Sequence, residues 1–267
     1  MNESYDVKDY WEKRLEQNWG LHGVGYLGYG IYYNQWMYRV RRRVFINHAM
    51  ALKLNFGDLK VLDIGSGTGF YLNLWKTLGV KSIFGSDISD SSVKRLKKLY
   101  PEFSIVQLDI GGPLEEQNFS KRRFNIITAF DVLFHIVDDN KFRNAIFNIS
   151  RSLVSDGYFI FSDNFLHGKT IRSTHQVSRS IEEIDSVLKE AGFQIIKRVP
   201  MFILMNAPID TTSSYPLPLW RLLMLPVHVF NLLGFLYGFI LFPLEILLTR
   251  VLKESPSTEM MICRKVG

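Results

Sequence analysis

From residue 60 onward, apolar and polar positions fall into a repeating order of short apolar run, stretch of helical spacing, and short apolar run again. The runs at 60–64, 82–87, 104–109, 124–130, 158–162 and 193–199 have the length of buried strands, while 70–78, 90–100, 139–153 and 180–191 carry helical periodicity. Pro101 and Gly192 stop two of these helices. Strands alternating with helices of this length predict βαβ units and a mostly parallel, doubly wound sheet covered on both faces. Ahead of the repeat, 10–16 reads as a short helix and 35–54 as a longer one. Between them Gly20 to Trp36 holds five glycines and five aromatics. Backbone that bends freely, carrying large contact surfaces, is expected to cap the core.

Composition narrows the picture only a little. The 267 residues carry a net charge of +6, part of it concentrated in Arg39, Arg41, Arg42 and Arg43. Such a cluster reads as a solvated basic helix face or as a contact for phosphates or anionic lipid. The single cysteine, Cys263, excludes an intrachain disulfide and a cysteine metal cluster. With a start too polar for a signal peptide, a reducing, cytoplasmic location is expected.

The candidate chemistry begins at VLDIGSGTGF, which sets Gly65, Gly67 and Gly69 between the first strand and a helix. Small residues there let a ligand approach the backbone at the carboxyl end of a strand. Phe70 stands where a dinucleotide-binding glycine would be needed, and no Gly-Lys-Ser/Thr of a P-loop follows. Asp63, two residues ahead, suits a cationic amine better than a pyrophosphate. Asp87 closes the second strand, where a carboxylate can accept both ribose hydroxyls, and Asp109 is placed at the end of the third.

VLDIGSGTG, SDIS, QLDI and FNIITAFDVLFHIVDD together resemble the successive motifs of the class I S-adenosylmethionine-dependent methyltransferases. The likeness covers 54–199 and resumes at TEMMICRK, which resembles that family's last strand. It implies seven strands with an antiparallel last one, and four segments. These are an N-terminal cap (1–53), a core that binds S-adenosyl-L-methionine (54–200), a hydrophobic helical insertion (201–256), and the last strand (257–267). It further implies that Asp63 holds the methionine amino group, through backbone or water, over a bed of Gly65, Gly67 and Gly69. Asp87 would bind ribose and Asp109 adenine, flanked by Ile88 and Ile110, while Ala129 and Phe130 offer backbone to the methionine end.

Transfer from a sulfonium needs mainly alignment, and a hydroxyl acceptor needs a base besides. His135 after the fourth strand is the first candidate, with His167 and His175 as alternatives. Asp131, Asp163 and Asn164 resemble the magnesium site of catechol-type O-methyltransferases and form a metal-assisted alternative. A non-catalytic, partner-binding subunit is the other. No Asn-Pro-Pro-Tyr-like tetrapeptide follows strand four, so nucleic acid is not the expected acceptor. A small hydrophobic or lipid-linked molecule is, with the oligomeric state left open.

Leu222 to Leu244 contains no charge beyond a possible one on His228. Pro226 and Pro243 are expected to bound a helix of about 24 Å, short of the bilayer's ~30 Å core. Both flanks belong to one sheet, so the run is expected not to span. Two roles remain, a lid over the acceptor, contacted also by Tyr29, Tyr32, Tyr33 and Trp36, and peripheral attachment to a membrane. All-round apolarity over 232–241 predicts burial on every side.

Overall fold

The structure is a computed structural model that describes residues 6–117, 119, 121–210 and 216–266. Among the described residues there are nine strands: β1 (Lys60–Ile64), β2 (Ser82–Asp87), β3 (Ser104–Gln107), β4 (Phe124–Phe130), β5 (Leu153–Asp163), β6 (Ile171–Arg172), β7 (Val177–Ser178), β8 (Phe193–Pro200) and β9 (Glu259–Lys265). Seven of them form one sheet in the order β3-β2-β1-β4-β5-β9-β8, and β6 and β7 pair separately. β9 runs antiparallel to both neighbours, from Tyr158↔Arg264 to Asp163↔Glu259 on one side and Phe193↔Lys265 to Pro200↔Glu259 on the other. The doubly wound, mostly parallel sheet with an antiparallel last strand is therefore present as the sequence implied.

Alternation along the strands fills both faces. Val61, Ile83, Ile126, Ile160 and Ile262 point to one layer, with α3 (Gly30–Ala51), α4 (Phe70–Thr77) and α5 (Asp90–Leu99) packed on it. Leu62, Ile127, Phe159, Phe161 and Met261 point to the other, under α6 (Asp139–Ser152) and α7 (Ile181–Glu190). Burial on both sides explains why these strands read as continuous apolar runs. α1 (Val7–Gln17) and α2 (Leu21–Val24) lie over the carboxyl ends of the strands, while α8 (Pro216–Val229) and α9 (Asn231–Val251) form the insertion between β8 and β9.

Several boundaries differ from the sequence reading. The cap is largely helical, since α3 starts at Gly30 rather than near residue 35. Gly30 sits at φ 63°, and the Asn231 side-chain oxygen accepts from Ile31 N at 3.0 Å, a cap supplied from 200 residues away. β3 ends at Gln107, so Asp109 lies in the following loop with its Oδ1 accepting from Gly111 N at 2.9 Å. β5 starts earlier, with a register shift between Phe124 and Ile126 of its partner strand.

The largest correction concerns the apolar run. Neither proline breaks its helix: α8 contains Pro226 and α9 contains Pro243. An interior proline costs roughly 3 kcal/mol, which packing along α3 offsets. Gly234 and Gly238 permit close approach, as a Cβ at the second would lie 2.1 Å from Trp36 Cδ1. Glu245 is buried, and its carboxylate accepts from Ile203 N (2.6 Å) and Leu204 N (2.8 Å), fastening α9 to the segment after β8. Only that face is covered. Leu232, Leu236, Phe239 and Ile240 are exposed, so the predicted burial on every side is not found.

Candidate active site

The sheet order reverses between β1 and β4, which opens a crevice beyond their carboxyl ends. The turn after β1 enters it. Gly65 and Gly67 have φ of 67° and 53°, a region costly for any side-chain-bearing residue. A Cβ at Gly65 would also meet Val132 Cγ2 at 2.3 Å, and one at Gly67 would meet Val24 Cγ1 at 2.7 Å. The turn is thus pressed between the cap and the segment after β4.

Asp87 anchors this turn. Its Oδ2 accepts from Gly67 N at 2.8 Å and its Oδ1 from Ser89 N at 2.9 Å, while burial holds its pKa above the ordinary carboxylate value. Asp63 lies beneath the turn rather than on the cavity wall. Thr128 Oγ1 donates to its Oδ1 at 2.6 Å, and burial pushes its carboxyl up to about 7. A cavity of about 130 Å³ is lined by Gly65, Gly67, Asp87, Ile88, Asp109, Ile110 and Phe130, with Val7, Trp11, Leu15 and Val24 of the cap. Eight of the expected cofactor residues were thus inferred on or under one cavity. Gly69 and Ala129, also in that set, do not line it; Ala129 is fully buried in the sheet.

A second cavity, of about 570 Å³, adjoins the first. The two share Trp11, Val24, Tyr38, Asp131 and His135. His135 Nδ1 lies 3.0 Å from the His175 carbonyl oxygen. An oxygen there can only accept, so Nδ1 carries the proton and Nε2 keeps a lone pair. Burial lowers its pKa to about 4, and Trp11 meets the ring edge-on at 5.0 Å. His175 lines the larger cavity, its ring stacked on Tyr10. His167 lines neither cavity; it is bound to Asp210, with Glu254 3.5 Å from its Nε2.

Asp131, Asp163 and Asn164 each have protein partners. Asp131 lies at φ 57°; its Oδ2 sits 2.7 Å from Arg41 Nη1, and its Oδ1 accepts from Ser162 Oγ at 2.8 Å. Asp163 is buried, accepts from Asn164 N at 2.7 Å, and is pushed by burial up to about 7. Asn164 Nδ2 donates to Ser178 Oγ at 3.0 Å. Among the described residues no group of three His, Cys, Asp or Glu side chains stands where it could hold a metal ion.

The arginine cluster divides. Arg41 is buried beside Asp131, Arg39 stacks over the Trp36 ring at 4.0 Å, and Arg42 and Arg43 are exposed. Of the four aromatics expected in the pocket only Tyr29 lines it. Tyr33 donates to Met205 O, Trp36 packs against Phe242 of α9, and Tyr32 faces Phe235. Sequence reading found a helix at 10–16 but not the part α1 plays at the site. Val7, Trp11 and Leu15 recur every four residues, a signal of one helix face, and all three line the smaller cavity. Glu12 on that helix latches it to the core by accepting from Asp90 N (2.7 Å) and Ser91 N (2.9 Å) at the start of α5.

The comparisons agree with this geometry. Residues 36–198 match the family model described as a methyltransferase domain. The ribosomal protein L11 methyltransferase of Staphylococcus epidermidis is 27% identical over 139 residues, 51% of this chain and 38% of that protein. The ubiquinone biosynthesis O-methyltransferase of Bradyrhizobium diazoefficiens is 34% identical over 82 residues, 31% of this chain and 32% of that protein. The chain thus spans well under two thirds of the length of these curated relatives. Among solved structures, the N-methyltransferase NodS of Bradyrhizobium japonicum, bound to S-adenosyl-L-homocysteine, superposes with a TM-score of 0.57 at 14% identity, covering 98% of this chain and all of that one. The magnesium protoporphyrin IX methyltransferase of Synechocystis, with bound S-adenosylmethionine, does so at 0.58 and 13%, covering 99% and 100%. At such identities these two establish the fold alone. With a family model across more than half its length, this chain belongs to the class I S-adenosylmethionine-dependent methyltransferases.

Proposed function

We propose that this methyltransferase acts on a hydroxyl oxygen of a small hydrophobic molecule seated in the larger cavity. The observation that carries the reading is the wall common to both cavities, where His135 stands with its Nδ1 engaged by the His175 carbonyl. The lining of the smaller cavity suits the cofactor's chemistry. Backbone at Gly65 and Gly67 is free of Cβ atoms that would fill the cradle, and Asp87 offers carboxylate oxygens beside it. In this reading Asp87 holds ribose and Asp109 adenine between Ile88 and Ile110. Asp63 balances the methionine ammonium from beneath, with Gly65, Gly67 and Gly69 shaping the turn and Phe130 closing the methionine end.

Bound there, S-adenosylmethionine supplies a methyl group already activated on a sulfonium. The chain's own residues align the acceptor, exclude water and take the proton. As the oxygen–carbon bond forms, the hydroxyl becomes far more acidic than an imidazolium. A base with a pKa near 4 is therefore sufficient, provided it is neutral, and His135, with Nδ1 bound to the His175 carbonyl, keeps its lone pair on Nε2. The His175 carbonyl fixes the ring, and Arg41 holds Asp131 beside it as an anion that stabilises the imidazolium formed. We infer further that the enzyme works in the cytoplasm at a membrane surface, as the exposed apolar insertion suggests.

The experiment is untargeted. Purified enzyme is incubated with isotope-labelled methyl donor and cell extracts, and labelled products are identified by mass spectrometry. A methyl ether of a hydrophobic small molecule is expected. A product methylated on nitrogen, or label confined to protein or nucleic acid, would refute the assignment.

A further inference from the structure

Fifteen large hydrophobic side chains between Leu219 and Leu252 are exposed, more than in the rest of the described chain together. They lie along α8 and α9, including Phe230 at the junction between the two helices and Leu252 just past the second. Isolated exposed leucines need no explanation, but an apolar surface of this extent on one hairpin marks a contact.

The charges around it say with what. From Leu217 to Lys253 the acid Glu245 is buried, whereas Arg221, Arg250 and Lys253 are exposed. α3, against which α9 packs, contains no acid at all and presents Arg39, Arg42 and Arg43 to solvent. Arg39 lies over the Trp36 ring, and that same ring meets Phe235, Phe239 and Phe242 of α9. Cations thus rim an apolar face with no exposed carboxylate from Leu217 to Lys253, and the exposed Glu254 just beyond it is paired with Arg198. That arrangement complements anionic lipid headgroups over acyl chains.

The fold also fixes how the hairpin sits. α9 has 21 residues, with an 18-residue window of mean hydropathy 2.0, and at about 31 Å it is long enough to span. It cannot do so here. β8 and β9 pair along their length, so both ends of the insertion leave the same sheet. α8, with 14 residues, reaches only about 21 Å. Glu245 and the Tyr33 and Trp36 contacts at Gly234 and Gly238 hold α9 against the core.

We propose that the α8–α9 hairpin lies flat in the surface of an anionic bilayer, and that the acceptor is an amphiphile drawn from that bilayer past α8. The second half rests on the function proposed above. α8 presents Leu222 and Leu225 outward, while Leu217, Trp220, Arg221 and His228 line the larger cavity. One helix therefore separates lipid from the acceptor's place.

The test uses full-length protein and its L232E/L236E/I240E variant, whose three positions are exposed on α9 and line neither cavity. Wild type is expected to sediment with vesicles of phosphatidylcholine and phosphatidylglycerol and more weakly with phosphatidylcholine alone. The variant is expected to lose roughly tenfold or more in partitioning, while binding S-adenosylhomocysteine as wild type does. Methyl label entering a lipid extract should fall in the variant when the extract is presented in vesicles, and be equal when it is dispersed in detergent. Wild type left in the supernatant, a variant that sediments equally, or wild type that resists a carbonate wash would overturn docking. So would a solution dimer that the same substitutions dissociate, since a second copy would then cover the face. Equal vesicle labelling by both proteins would overturn uptake from lipid. Absence of label in every format would sink the proposed function and leave docking to be decided by sedimentation.

Discussion

Replacing Asp87 by asparagine isolates the charge that the glycine turn relies on. In the wild type both carboxylate oxygens accept from backbone, Oδ2 from Gly67 N at 2.8 Å and Oδ1 from Ser89 N at 2.9 Å. Both donors are buried with it. An amide keeps the shape but has one accepting oxygen, so whichever way it turns, its NH2 faces one backbone N–H. One charge-assisted bond is lost outright, and the other becomes a neutral one. Hydrogen bonds to charged groups contribute ~1.5–3 kcal/mol, so affinity for S-adenosylhomocysteine is expected to fall roughly 10- to 150-fold. Titration calorimetry measures this directly, with a thermal melt of ligand-free protein to separate loss of fold from loss of binding. Burial holds the Asp87 pKa above the ordinary carboxylate value. Wild-type affinity should therefore begin to weaken, on acidification, at a higher pH than a surface carboxylate would dictate. An unchanged dissociation constant in Asp87→Asn, whatever the melt shows, would refute the role given to this residue.

His135→Ala should lower turnover roughly 10²–10⁴-fold while leaving S-adenosylhomocysteine affinity intact. Because burial lowers the pKa of His135 to about 4, wild-type turnover at saturating S-adenosylmethionine should stay level from pH 8 down to about 5; a break near 6.5 under that condition would contradict a buried base. Burial raises the Asp63 carboxyl to about 7, so its folded form binds a proton that the unfolded chain has released. Its contribution to stability is present at low pH and lost as pH rises from about 4 to about 7. Asp63→Asn should accordingly raise the melting temperature of ligand-free protein at pH 8 and weaken cofactor binding; a lower melting temperature there would count against this assignment. Gly238→Val drives a side chain into Trp36, 2.1 Å from the position of the new Cβ. Overpacking of ~1–3 kcal/mol should lower the unfolding midpoint, and an unchanged midpoint would show that α9 does not depend on this contact.

What was legible in the sequence is what local order encodes. Strands and helices follow one another within about thirty residues, and the glycine turn, Asp87, Ile88 and Ile110 sit at fixed offsets from strand ends. The rest is made by pairs distant in the chain. Arg41 reads as one of a basic run until Asp131, ninety residues on, is found 2.7 Å away. Asn231 caps a helix that begins at Gly30. Pro243 reads as a helix boundary because local propensity says so, and tertiary packing overrides it. Ala129 and Gly69 belong to the right motifs yet turn into the sheet and the helix start. Their offsets are right, but offset does not say which way a residue faces.

The pairing of Pro200 with Glu259 closes the base of the whole α8–α9 insertion to the width of two neighbouring strands. Everything between these residues leaves and re-enters through that neck, and the cofactor cavity draws no wall residue from it. The insertion is therefore an exchangeable module. A short turn joining the two strands would preserve the sheet, and a different hairpin grafted at the same neck would redirect the enzyme to another surface or another acceptor without disturbing the methyl donor's site.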